Sequence, residues 1–427
     1  MYIRKDIDKL TERAHLSIAT VHGDEMQYIQ KAFDTNWVTT AGENINELEK
    51  IAAAKVGVNC AVGLSAGTAA LHLCMKLAAE KAFGHTPAGQ GCFAGKRVFA
   101  SDTTFAATVF PAMYEGANLT LIDSERDTWN MDPKALKKAF ELYPDTRIVI
   151  VANLYGTPAK LDEIKAICDE HGAVLIEDAA ESLGASYKGK ETGSFGEYNA
   201  ISFNGNKIIT GSCGGMLLTD DLHAANKARK WSTQSRENAF WYQHEEIGYN
   251  YRMSNLTAGV VRAQFGHLEE HIAQKKAVYM RYKEGLKDLP VSMNPYIEDI
   301  MEPNFWLSCL LIDRDAMCKQ VRGEQDVCYT PEHGKSCPTE ILEAIASINA
   351  EGRPIWKPMS MQPVFRMNDF VTAEGYGRGL SNAYIEEKKV DVVGRDLFER
   401  GLCLPSGNMM TAEQQDRIIE VIKRCFE

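Results

Sequence analysis

Short apolar runs recur through the first half of the chain: RVFAS (97–101), LTLID (119–123), RIVIVANL (147–154), AVLIEDA (173–179) and NAISF (199–203). They are rich in Val and Ile and barely alternate with polar residues, as strands buried on both faces do. Between several of them lie amphipathic segments at helical spacing, among them DPKALKKAFELY (132–143) and KLDEIKAICDEH (160–171). Strand and helix in alternation predict an α/β fold, a mostly parallel mixed sheet covered by helices.

A long helical stretch, NLTAGVVRAQFGHLEEHIAQKKAVYMRYKEGL (255–286), then leads toward a second unit. That unit starts near WLSCLLID (306–313) and ends in the amphipathic TAEQQDRIIEVIKRCFE (411–427). The chain has 427 residues, more than one hydrophobic core usually supports. The pattern predicts a large domain over 1–265 and a smaller C-terminal α+β domain over 266–427. The stretches 80–96 and 318–338 read as inserted loops, and 367–392 as irregular.

Charge narrows the function. There are 58 acidic residues against 47 basic ones, a formal net charge of −11, which argues against a nucleic-acid partner. No run reaches transmembrane length, and the first residues, MYIRKDIDKLTERAHL, hold no apolar signal core, so a reducing cytoplasm is the expected location. The eleven cysteines form no disulfide framework. Cys318, Cys328 and Cys337, with His333 nearby, match no zinc spacing, and no metal is expected.

Three segments carry candidate chemistry. In GLSAGTAALHLCMKLAAE (63–80) a strand gives way to an Ala/Leu-rich helix through Ser65, Ala66, Gly67 and Thr68. Open N–H groups at such a helix start bind a phosphate, although a plain Ser or Thr N-cap has the same sequence. In EDAAESLGA (177–185), Asp178 ends an apolar strand, where ligands bind in α/β sheets, or else caps a short helix. ISFNGNKIITGSCGGML (201–217) holds one charged residue, Lys207, among Gly205, Gly211, Gly214 and Gly215. Lys207 reads either as a surface lysine or as an amine nucleophile. Phosphate anchor, buried acid and amine in this order are the parts a pyridoxal 5′-phosphate (PLP) site requires, with Phe105 available to stack on the ring.

These segments belong to a wider resemblance. NWVTTAGENINELE, SAGTAALHL, DTTFAAT, NLYGTPAKLDEI, IEDAAESLGASYKGKETGSFGEYNAISFNGNKIIT, IGYNYRMSN, RPIWKPM and FERGLCLPSG resemble, in order, the fold-type I PLP-dependent nucleotide-sugar aminotransferases of the DegT/StrS kind. The resemblance implies that Lys207 is the Schiff-base lysine and Asp178 the partner of the pyridinium nitrogen. It places Glu181 near the cofactor's phenolic oxygen, Gly67, Thr68 and Ser202 on its phosphate, and Phe105 on its ring. Asn250 would reach the cofactor phosphate of a neighbouring subunit, implying a homodimer with shared active sites. Arg353 and Lys357 would contact the substrate pyrophosphate. The implied reaction moves an amino group from glutamate to a nucleotide-linked keto-sugar, nearest to UDP-4-keto-6-deoxy-N-acetylhexosamines, for bacterial surface glycans. Alternatives are a sugar dehydratase, an amino-acid lyase or a non-catalytic protein of the same fold. Two departures stand out: Ser360 where the UDP-4-keto-sugar branch usually has histidine after KPM, and Cys213 among the glycines.

Overall fold

The computed structural model describes residues 7–365, 367–378 and 391–427. Its main sheet has nine strands in the order Cys60–Leu64, Gly215–Thr219, Tyr198–Ser202, Val174–Asp178, Ile148–Ala152, Arg97–Ser101, Asn118–Ile122, Asp369–Thr372 and Gly375–Arg378. All strands from Tyr198–Ser202 through Asp369–Thr372 run parallel, and antiparallel neighbours close both ends. The five expected apolar runs all lie here. Ile148–Ala152 and Tyr198–Ser202 are buried at every position, as their unbroken hydrophobicity required.

Helices cover both faces. Gly67–Phe83 packs on one with Val98, Ala100, Ile150 and Ile176, while Pro133–Leu142 and Leu161–Glu170 pack on the other with Phe99, Val149 and Val151. The Pro133–Leu142 helix starts where its sequence says: Asp132 accepts from the Lys134 amide and Pro133 takes the first turn. The first insertion candidate extends that Gly67–Phe83 helix to Phe83 and then becomes a loop.

The second core surrounds a four-stranded antiparallel sheet, Val291–Met293, Cys309–Ile312, Gly401–Cys403 and Arg353–Pro354. Leucines and isoleucines from Pro338–Ser347 and Ala412–Arg424 fill it, and Thr411 and Gln414 form a capping box at the start of the last helix. The stretch 318–338 folds as the hairpin Lys319–Arg322 and Val327–Thr330, and Cys337 caps the following helix by accepting from the Glu340 amide.

Two segments cross between the two cores. Leu10 and Ala14 bury in the C-terminal core, with Ala14 bridged to Ala350. Conversely, Asp369–Thr372 leaves the C-terminal half to pair with Asn118–Ile122 in the main sheet. The stretch expected to be irregular thus holds two strands, and its residues 379–390 lie outside the described residues. The expected long helix is two helices, Asn255–Phe265 and Leu268–Gly285, separated at Gly266 and His267. Glycine is a poor helix former, and His267 begins the second helix with its ring 3.2 Å from Asp24 Oδ2.

One close approach ties this frame to the helix start. A Cβ at Gly215 would lie 2.4 Å from the Ala66 carbonyl carbon and from the Gly67 nitrogen. Gly215→Ala must push strand and turn apart, and the expected cost is about 1–3 kcal/mol, read as a fall in Tm.

Candidate active site

The carboxyl ends of the parallel strands meet the Gly67–Phe83 helix start at a single cavity of ≈ 320 Å³. That is where a parallel sheet gathers polar side chains, because the strands have just ended and the backbone is free to turn. The site can be built from four pieces.

The first piece is the helix start. Ala66 precedes the helix in extended conformation, and no side chain caps it. The Ser/Thr N-cap reading therefore does not apply, and the first N–H groups remain open. Ser202 lies against this turn: a Cβ at Gly67 would sit 2.8 Å from Ser202 Cβ and 3.1 Å from its Oγ. Glycine is required for the hydroxyl to come so close. Open amides, the hydroxyls of Ser202 and Thr68 and the absence of acid from the first turn suit a phosphate.

Asp178, the last residue of its strand, supplies the second piece. Its Oδ2 accepts from Thr108 Oγ1 at 2.7 Å and its Oδ1 from the Ala180 amide at 3.0 Å. Thr104 Oγ1 lies 2.6 Å from Thr108 Oγ1; since Thr108 spends its proton on Asp178, Thr104 donates to Thr108. Burial raises the Asp178 pKa, opposed by these bonds and by the charge of Lys207. A buried carboxylate without a close cation fits a ligand that brings a protonated ring nitrogen.

Lys207 and Glu181 form the third. Lys207 Nζ lies 3.8 Å from Glu181 Oε1 and 4.3 Å above the Trp306 ring. Glu181 Oε2 accepts from the Tyr155 amide at 2.8 Å, and its Oε1 from Trp356 Nε1 at 3.3 Å. Burial raises the Glu181 pKa, and Lys207 is the largest opposing influence. Tyr155 holds a left-handed conformation, φ 55°, and its hydroxyl accepts from the Trp356 amide at 2.8 Å. That strained turn is over-determined by its bonds.

Aromatic walls complete the cavity. Phe105 is 58% exposed, with its ring centroid 6.3 Å from that of Trp356, and Trp306 closes the floor under Lys207. Gly214 lines the cavity at φ +116°, a backbone only glycine adopts readily. Gly211 has a different reason: a Cβ there would strike Val261 at 2.5 Å, so it makes room for a helix.

Gly67, Thr68, Phe105, Asp178, Glu181, Ser202 and Lys207 thus line one cavity, as does Cys213. Arg353 and Lys357 do not. The Arg353 guanidinium is exposed and pairs with Glu351 at 2.7 Å, and half-buried Lys357 has its pKa lowered by burial. In the same block it is Trp356 that lines the cavity. Asn250 is also outside, exposed on a loop bridged to Thr233. Sequence reading missed Thr108, Trp306 and Trp356. DTTFAAT held the first in plain view, but a threonine four residues beyond Thr104 reads as helix filler until Asp178 is seen beside it.

Ser360 is buried, and its amide and hydroxyl donate to Asp102 Oδ1 and Oδ2 at 2.7 and 2.9 Å. Asp102 in turn has its pKa pushed up to about 8 by burial and by neighbouring Asp123.

The cavity combines a candidate phosphate cradle, a cation-seeking carboxylate and an amine, the groups that a PLP site requires. Comparison with known proteins agrees. Residues 20–423 match the DegT/DnrJ/EryC1/StrS aminotransferase family, and the chain belongs to it. It is 41% identical over 421 residues to EpsN of Bacillus subtilis (strain 168), named as a pyridoxal phosphate-dependent aminotransferase, covering 97% of this chain and 96% of that one. It is 29% identical over 426 residues to the GDP-perosamine synthase of Caulobacter vibrioides, covering 98% and 100% of the two chains. The fold superposes on the sugar aminotransferase Spr1654 of Streptococcus pneumoniae, solved in its PLP form, with TM-score 0.78, 18% identity and coverage of 96% and 97%. The chain is a PLP-dependent aminotransferase of this family.

The Asp102 environment yields a pH test. Its folded-state pKa lies above the ordinary 3.8, so its contribution to stability is complete below that value and is lost as pH rises through about 8. Asp102→Asn keeps an acceptor for Ser360 and stays neutral. Urea unfolding over a pH series should show the variant more stable than wild type at alkaline pH, the two curves converging toward acid.

Proposed function

We propose that this enzyme transfers the amino group of glutamate to C4 of a nucleotide-linked 4-keto-6-deoxy sugar, with UDP-N-acetylhexosamines as the substrate class. The product would be an amino-sugar nucleotide for surface glycan synthesis in the cytoplasm. One observation carries the reading: Lys207, Asp178 and the uncapped helix start face the same cavity. The chain's relatives support amino transfer to a sugar, and the finer assignment rests on the motif resemblance.

Bound in the cavity, PLP supplies an electron-accepting ring and a carbonyl that condenses with amines. The protein's own groups do the rest. The open amides at Gly67 and Thr68, with Ser202, hold the phosphate. Asp178, oriented by Thr108 and the Ala180 amide, keeps a proton on the ring nitrogen, which its burial demands. Lys207 Nζ accepts the proton from Cα of the amino donor and, on the return half-reaction, delivers one to the sugar carbon that receives nitrogen. Phe105 and Trp356 would flank the ring, and Glu181, 3.8 Å from Lys207 Nζ, would orient the amine.

Asn250 would complete the phosphate site of a second copy. Its own loop carries an exposed aromatic patch, with Phe240 fully exposed and Trp241 and Tyr242 at 68% and 80%. Exposed aromatics in such density are covered in an interface, which supports a homodimer with shared sites.

The first test is a visible absorption spectrum of protein loaded with PLP, wild type beside Lys207→Ala and Asp178→Asn. Wild type should show the lysine-bound band and lose it on adding glutamate. Lys207→Ala should lack the band. Asp178→Asn should keep it, with turnover reduced by at least about a hundredfold. UDP- and GDP-4-keto-sugars are then compared for restoring the band; restoration by GDP-sugars alone would reassign the nucleotide, and no band in wild type would sink the reading.

A further inference from the structure

Lys207 sits in a turn whose two flanking carbonyls are both gripped from elsewhere in the chain. Before it, the Asn206 carbonyl accepts from Trp306 Nε1 at 2.6 Å and from Ser17 Oγ at 2.9 Å. After it, the Ile208 carbonyl accepts from His271 Nδ1 at 2.8 Å. A carbonyl can only accept, so the Ser17 hydroxyl donates and His271 carries a proton on Nδ1.

A second layer stands behind each grip. Lys275 Nζ donates to Ser17 Oγ at 3.1 Å and to the Ser406 carbonyl at 2.6 Å. Ser17 has already spent its proton on Asn206, so it must accept from Lys275. His22 Nε2 lies 2.9 Å from His271 Nε2 and, with Nδ1 of His271 protonated, donates to it when that ring is neutral. Burial lowers the His271 pKa, and His22 and His267 lower it further, while Glu270 and the bond to Ile208 oppose this.

His271 and Lys275 stand four residues apart on the Leu268–Gly285 helix, hence on one face, and each is 1% exposed. No carboxylate pairs with Lys275 among the described residues, and burial alone pushes its pKa down to about 7. A lone buried ammonium is costly, and an apolar side chain of that length would spare the fold the cost. What lysine adds is a donor that polarises Ser17 and ties it to Ser406. The Ser406 amide in turn donates to the Leu16 carbonyl at 2.8 Å.

We propose that His271 and Lys275 are positioning residues for Lys207, fixing the peptide planes on either side of it so that its amine is aimed across Trp306 into the cavity. The inference rests on Lys207 being the reacting amine. A tilt in either plane swings a long side chain, and misplacement by about 1 Å can cost a hundredfold in rate.

The test is the rate at which pyridoxal 5′-phosphate forms its visible lysine-bound band with cofactor-free protein, followed over a pH series. Ser17→Ala, Lys275→Met and His271→Leu should each slow the reaction by about tenfold or more. His271→Asn, which keeps an N–H donor toward Ile208, should recover most of the rate, and Ser17→Ala and Lys275→Met should distort the pH profile alike. Thermal unfolding of the cofactor-free variants reports whether each is folded; if Lys275→Met is not, half-buried Ser17 decides. Wild-type rates and profiles in folded Ser17→Ala and His271→Leu would overturn the inference and leave the proposed function standing. Absence of the band in wild type, or its persistence in Lys207→Ala, would overturn both.

Discussion

A buried carboxylate that lacks a close cation governs this structure. Asp178 ends a central parallel strand, is held by Thr108 and a backbone amide, and has a raised pKa because burial outweighs both bonds. Such a group is tolerable only beside something positive. The parallel sheet delivers it to the edge at which the uncapped Gly67–Phe83 helix also begins, and the Lys207 turn crosses between them. Cation-seeking acid, anion-seeking amides and amine are thus fixed to one rigid edge, and a zwitterionic aromatic phosphate answers all three.

Much of this was legible in the chain. The five strands were visible because parallel strands are buried on both faces and cannot hide a polar alternation. Asp178, Ser202 and Lys207 were visible because they sit where two of those runs stop, and Gly67 because a helix pattern starts there. What stayed hidden depends on three-dimensional adjacency. The strand Asp369–Thr372 looks irregular because it is short and follows a loop, and only the open edge of Asn118–Ile122 makes it a strand. Nothing in the local sequence marks Trp306 and Trp356, since an indole facing a cavity has the same neighbours as one facing a leucine. Arg353 attracted notice by its charge, yet Glu351 neutralises it at the surface. The break at Gly266 was masked by good helix formers on both sides.

The two departures from the family pattern have different standing. Ser360 is built in: both of its donors are consumed by Asp102, well inside the fold. Any substrate contact made by a histidine at that position in relatives must be made by other residues here, or not at all. Cys213 is exposed, lines the cavity, and has its sulfur only 4.0 Å from Thr257 Oγ1. It is a small side chain that the turn accommodates beside the Asn255–Phe265 helix.

The crossing of the chain between its two cores bears on how the protein is made. The N-terminal residues Leu10 and Ala14 find their partners only in a core completed by the last helix, and the main sheet gains its eighth strand only when residues near 370 exist. A ribosome releasing this chain from the N-terminus therefore holds an unfinished sheet edge and an unplaced leader for most of translation. Such long-range closures are slow and leave apolar edges open. Neither core is complete until the segments that cross between them have emerged.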